Sequence, residues 1–443
     1  MTDQHGATAS GDGLGDDYAN LPYKDIPKHC VIHGADPDRV ANCRIYDGRV
    51  VVTGPYDVIS GMLGGVKTHE GARMGAYMHA GGDRVITFER LKETFAGPLP
   101  RNTAEAISIC RFDNIILDAH YTKAPMVSSA SIKYPFDWGP MPYTDDLGYL
   151  KCIRVPHNGI TIGIAQESEK GHLLGYECEE LSLVYRIEAD PAIDMGKMMR
   201  YVWQMNNFLT LFMGWPVYPQ RLMMCDATGA QFLYYPGAIF DLKKRIPPTI
   251  FTHRIEYDDS IDERFECLLR KWFLLYQRVG RPMSEYFESM RVDNPHRSWF
   301  IDNTNTLQRI YKKTDPDMKS LCMHLSDAVK IYRGIYAPDA TLITRINATR
   351  NHYVHGDPKR PGPMVVTSDL VLARFGNIVA MLIEGKMAKM MACDDPDLLD
   401  SILIEIHKKH VTDFNDIPGF IDYDGAEPGE FDDVPAYEPT GSL

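Results

Sequence analysis

What this 443-residue sequence lacks narrows its class before any motif is read. No stretch approaches about 18 uninterrupted apolar residues, the length a membrane-crossing helix needs, so no span is expected. The first residues show no basic start followed by an apolar run, so no secretory leader is expected. The nine cysteines are scattered, contain no Cys-x-x-Cys pair and are odd in number. A zinc ribbon or a disulfide framework is therefore not expected, and a reducing cytoplasm fits best. The glycine-rich stretch 61–65 does not match the Gly-x-x-x-x-Gly-Lys-Ser/Thr pattern of a phosphate-binding loop. No internal repeat is visible.

What is present is ordinary for a globular chain: 44% apolar and 24% charged residues. The length suggests two domains with tails. A net charge of −13 first argues against a nucleic-acid partner, but its distribution removes the objection. Residues 1–23 hold four acids and residues 411–443 hold nine, with no Lys or Arg in either stretch. Those thirteen acids equal the whole net charge, so residues 24–410 are neutral and local basic patches remain open to them.

Short β-prone runs separated by Gly, Pro and Asp dominate residues 25–255: 49–53, 84–88, 107–117, 159–164 and 181–187. One helix interrupts them at about 192–212, with Trp215-Pro216 as its stop. From about 260 the periodicity becomes helical, over 261–278, 318–332, 339–355, 367–391 and 395–410. The expected fold class is α+β. Its expected parts are an N-terminal tail (1–24), a β-rich domain (25–255), an all-helical domain (256–410) and an acidic C-terminal tail (411–443).

The helix over 339–355 carries the chemistry. Asp339 is placed to cap its start. Leu342, Ile346, Thr349 and Tyr353 fall on one stripe and read as core. Asn351 and His355, four residues apart, stack on the roughly opposite face, with Arg350 on the flank. Gly356 and Pro358 end the helix, which places His355 at the negative end of its dipole. An imidazole can give and take protons near neutral pH, and a guanidinium can hold a phosphate through parallel hydrogen bonds. Asn351 can orient the imidazole or a ribose hydroxyl. These are the groups needed to cleave RNA by attack of its own 2′-hydroxyl, without a metal. Around a straight helix, however, Arg350 and His355 diverge by about 140°. One helix then focuses them poorly on one phosphate, and a homodimer with a shared cleft is expected. Lys359 and Arg360 follow directly and, with His352, are candidate substrate-binding residues.

This helical layout, with Arg-Asn-x-x-x-His closing an internal helix, resembles the HEPN domains of ribonuclease toxins and antiviral effectors. The region before it resembles the partner domain of ApeA-type bacterial anti-phage proteins. That likeness rests on Asn207-Phe208-Leu209-Thr210-Leu211, Gly214-Trp215-Pro216-Val217 and Lys271-Trp272-Phe273-Leu274-Leu275-Tyr276. The family's longer apolar helix faces a departure here, because the stretch from Asn303 to Lys313 reads as short and polar. The resemblance implies a dimeric endoribonuclease with Arg350, Asn351 and His355 as its site and no cofactor. It implies products ending in a cyclic phosphate and a 5′-hydroxyl, and a role in abortive infection through cutting host RNA, with tRNA one possible target. A phage-derived trigger and a cytoplasmic location go with that role. Two other readings stand beside it. One is a non-catalytic module that binds RNA, a nucleotide or a protein. The other is a metal-dependent hydrolase using His352 and His355, with Asp357 nearby.

Overall fold

A computed structural model describes residues 29–33, 40–46, 49–55, 78–80, 84–89, 92–99, 102–111, 114–117, 125–136, 138–139, 153–173, 176–236, 254–291, 294–338, 340–355, 362–392 and 394–412. The chain divides into two compact units, Met1–Asn206 with Val217–Thr252, and Asn207–Pro216 with His253–Leu443. The fold is α+β: strands come first and helices follow. The N-terminal tail, the C-terminal tail from residue 413 on, and the stretch 61–65 lie outside the described residues.

The first unit is a sheet. Its strands are β1 (His29–His33), β2 (Val40–Tyr46), β3 (Arg49–Pro55), β4 (Met78–Ala80), β5 (Arg84–Glu89), β6 (Lys92–Leu99) and β7 (Asn102–Arg111). They continue as β8 (Asn114–Leu117), β9 (Met126–Lys133), β10 (Ile153–His157), β11 (Ile160–Leu173), β12 (Tyr176–Asp194), β13 (Arg221–Asp226) and β14 (Gln231–Pro236). These fourteen described strands form one sheet in the order β10-β11-β12-β9-β13-β14-β8-β5-β4-β1-β2-β3-β7-β6. The pairings are antiparallel, as expected where short turns join β-branched runs. In β3, Val50 and Val52 are buried while Arg49 is exposed, the alternation of a sheet packed on one face. The β10–β11 turn is Asn158-Gly159, both at positive φ, with His157 opposite Ile160. This two-residue turn matches the right-handed twist of the strands it joins. The run 107–117 divides between β7 and β8.

The first helix, α1 (Met195–Met213), has residues in both units. Met195, Met198, Val202, Met205 and Leu209 are buried along it, at helical spacing. It ends at Gly214, one residue before the expected stop at Trp215-Pro216. Gly214 has φ 78°, and a Cβ there would lie 2.6 Å from the Arg254 Nε. Only glycine meets both demands.

The second unit continues with α2 (Asp259–Val279), α3 (Arg281–Ser289), α4 (His296–Thr314), α5 (Leu321–Ile331), α6 (Leu342–His355), α7 (Asp369–Met391) and α8 (Pro396–Thr412). Asp258 caps α2 by accepting the Ile261 N–H at 3.0 Å, and Ser320 caps α5 through the Met323 N–H. Helix α7 is central, with sixteen of its 23 residues buried. Helix α4 corrects an expectation. It is 19 residues long, with Phe300, Leu307, Ile310 and Tyr311 in the core. Between them Asn303, Thr304 and Thr306 are buried too, and these polar positions hid the helix from a periodicity count. Asn303 donates to the Gly376 carbonyl at 3.1 Å, and Thr304 donates to the Ile301 carbonyl. These two bonds offset part of the cost of burial, while Asn303 Oδ1 is buried with no partner among the described residues. Cys267 on α2 is disulfide-bonded, whereas Cys225 and Cys322 are thiols.

Candidate active site

Helix α6 packs on α4 and α5, and α4 in turn packs along α7. The stripe expected to be core is buried at Leu342, Ile346 and Thr349. Thr349 Oγ1 accepts the Val366 N–H at 3.0 Å and so ties the segment before α7 to the motif helix. Tyr353, one turn on, is only half-buried. The Arg297 guanidinium of α4 lies 4.1 Å above its ring. Burial raises the Tyr353 hydroxyl pKa; Arg297 lowers it and Asp369 raises it further. Asp339 falls outside the described residues, and α6 begins at Leu342.

Asn351 and His355 are exposed on the other face of α6, and Arg350 is half-buried between that face and α4. The expected divergence of Arg350 and His355 is corrected here. Arg350 Nη1 lies 3.3 Å from His355 Nε2 and 3.2 Å from Asn351 Oδ1. The 140° separation holds for the points of attachment, but arginine has four torsions and its guanidinium swings back along the helix. All three motif residues therefore converge within one chain. Guanidinium nitrogens are donors only, so a hydrogen bond at this contact requires Nε2 as the acceptor, the tautomer with its proton on Nδ1. Nε2 then carries the ring's one acceptor lone pair, and that lone pair faces the guanidinium.

The other side of the guanidinium is held from α4. Arg350 Nη2 donates to Asn305 Oδ1 at 3.1 Å and to Gln308 Oε1 at 3.4 Å. Every acceptor is neutral, and no carboxylate among the described residues pairs with Arg350. By contrast Arg254, Arg270, Arg281 and Arg309 each meet a carboxylate. Arg350 Nε is buried and has no hydrogen-bond partner among the described residues. The result is an oriented positive charge that no described carboxylate cancels, beside a ring nitrogen. It attracts an oxyanion by its charge and can hydrogen-bond to one by giving up one of its neutral acceptors.

The remaining predicted residues fare differently. His352 is half-buried, with its ring edge-on to Tyr353 at 5.1 Å, and no bond links it to Arg350. Asp357, Lys359 and Arg360 lie outside the described residues, as do Gly356 and Pro358. Among the described residues no group of three or more His, Cys, Asp or Glu is placed to hold a metal ion. Asn305 and Gln308 were missed in the sequence. Their spacing of three puts them on one helix face, but that signal needs α4 to be read as a helix first. No family model, no curated protein and no solved structure matches this chain.

Proposed function

We propose that the helical unit is an endoribonuclease of the HEPN kind, working without a metal. The observation that carries the reading is the uncompensated Arg350 guanidinium lying 3.3 Å from His355 Nε2. In the reaction, the guanidinium turns from Nε2 to the phosphate, and the freed Nε2 takes the proton of a ribose 2′-hydroxyl. The 2′-oxygen bonds to the adjacent phosphorus, and the bond from phosphorus to the 5′-oxygen breaks. Arg350 stabilises the charge gathering on the non-bridging oxygens, and Asn351 keeps the guanidinium aimed. The products are a 2′,3′-cyclic phosphate and a 5′-hydroxyl.

In-line displacement puts the entering and leaving oxygens on opposite sides of phosphorus. One imidazole serves one side, so the leaving 5′-oxygen needs a second proton donor. A second copy of the chain facing the first across a two-fold axis supplies it when its own imidazole starts protonated at both nitrogens and gives up the Nε2 proton. The homodimer thus keeps its place in the proposal on new ground: the second copy completes the proton inventory and is not needed to bring arginine to histidine. The first unit is assigned the sensing or restraint of the nuclease, and a phage-derived trigger, tRNA as target, a cytoplasmic setting and abortive infection complete the reading. These biological parts rest on the resemblance alone.

The test is incubation of the full chain and a His355→Ala variant with end-labelled tRNA in EDTA. Cleavage by the wild type alone, leaving cyclic-phosphate ends, supports the proposal. Intact RNA under every condition, including after addition of phage proteins, sinks it in favour of a binding module. Cleavage that requires added metal transfers the site to the hydrolase reading. That reading is the weaker on geometry, since His355 Nε2 faces a cation and His352 packs against Tyr353.

A further inference from the structure

The two amides on α4 do more than hold an arginine in place. Each turns its oxygen toward Arg350, since a guanidinium offers nothing to a donor. Each must therefore point its –NH2 group elsewhere. Asn351 is in the same position, because its Oδ1 also accepts from Arg350. None of these three –NH2 groups has a partner among the described residues, and none is sealed from solvent. Beside His355 Nε2, this cation is thus ringed by three neutral amides whose open ends are donors. Such an amide lining favours an oxyanion over a cation.

We propose that Asn305 and Gln308 are substrate-binding residues. Their –NH2 groups, with Arg350, form a seat for the backbone phosphate of a single RNA strand, while their oxygens position the guanidinium. This rests on the reading of Arg350 and His355 as an RNA-cleaving site, and it adds to that site a wall supplied by a different helix. Mere packing glue makes a different demand. A carboxylate at either position would grip Arg350 more tightly than an amide does, because both partners of the bond would then be charged. It would also cancel the charge that draws the phosphate. Stability and binding therefore respond in opposite directions to one isosteric change.

The experiment uses the full chain and a fluorescein-labelled 2′-O-methyl oligoribonucleotide, whose blocked 2′-oxygen cannot attack, so that anisotropy reads binding without turnover. Asn305→Asp and Gln308→Glu are each expected to weaken binding about tenfold or more, with an unchanged or higher melting temperature. If either variant melts lower than wild type, Gln308→Met decides. It stays neutral but has no –NH2 group, and it is expected to bind at least about threefold more weakly. Binding within twofold of wild type in all these variants overturns the seat.

Cleavage of unmodified RNA, run alongside, separates the two proposals. Wild type that cleaves while the variants bind normally refutes the seat and leaves the nuclease standing. Wild type that binds through the amides but never cleaves refutes the nuclease and leaves the seat. Wild type that does not bind the oligonucleotide at low salt removes both.

Discussion

Glu384 of α7 is fully buried, and replacing it by Gln tests how the helical unit holds its central helix. Its Oε2 meets Arg254 Nη1 at 2.5 Å and His410 Nε2 at 2.9 Å, and its Oε1 accepts the Tyr286 hydroxyl at 2.7 Å. Burial pushes the carboxyl pKa up, but Arg254, then His410 and the Tyr286 hydroxyl, overcome this and hold it down to about 2 against an ordinary 4.5. That gap corresponds to about 3 kcal/mol of stability. The carboxyl is depressed in the folded state. Its contribution is therefore complete above pH 4.5 and is lost as the pH falls through about 2. Glu384→Gln removes the charge and leaves Arg254, 2% exposed, buried without its counter-ion. Losing one partner of such a pair costs about 3–5 kcal/mol at pH 7. Urea denaturation of the helical unit, followed by circular dichroism from pH 7 to pH 3, measures the difference from wild type. It should narrow by about 2 kcal/mol by pH 3, since the unfolded wild-type carboxyl takes up a proton below about 4.5 while the folded one stays ionised, and the variant has no such group. A difference below about 1 kcal/mol at pH 7, or one that does not change with pH, refutes the argument.

Arg350→Lys keeps the charge but cannot span Asn305, Gln308, Asn351 and His355 at once, so kcat/KM on labelled RNA is expected to fall about 100-fold or more. A near wild-type rate would mean that charge alone matters at this position. Thr349→Val leaves the buried Val366 N–H without its acceptor and should destabilise by about 1–3 kcal/mol, with Thr349→Ser restoring most of the loss in urea melts. Refolding wild type with an equal amount of the His355→Ala chain distinguishes one imidazole from two. About a quarter of the activity should remain if both copies are needed, and about half if each chain works alone.

The motif helix was legible because its core side is plain. Leu342, Ile346 and Thr349 recur at helical spacing and are all buried. Helix α4 was not, for a physical reason rather than a weak pattern. Its buried face includes Asn303, Thr304 and Thr306, which a hydrophobicity count assigns to solvent. Helix α3 was missed because Gly280, at φ 67°, breaks the helical run after Val279 and starts a new one with Pro282 in its first turn. At the site, residue spacing located Arg350, Asn351 and His355 but misjudged their meeting. Helical angles describe where side chains leave the backbone, and a long arginine arm is free to ignore them. Asn305 and Gln308 reach Arg350 from 45 and 42 residues away, a tertiary pairing that local spacing does not encode.

Two arginines of the helical unit show how structure and chemistry separate. Arg254 is buried, and an isolated charge there would be costly, so it is neutralised by Glu384 at hydrogen-bond distance. Arg350 is half-buried, and a carboxylate at 305 or 308 would give it the same treatment with no change in side-chain size. Amides stand there instead. They fix the guanidinium in direction and keep its charge. An arrangement built for stability alone has no reason to forgo the ion pair, since α4 and α6 are already joined by packing and by Arg297 above Tyr353. An arrangement built to receive an anion must forgo it, because a seat already occupied by a carboxylate attracts no phosphate. The same logic bears on the acidic chain. Residues 24–410 are neutral overall, so the RNA binding proposed above requires a local attraction, and at Arg350 the described structure leaves positive charge uncancelled beside a ring nitrogen.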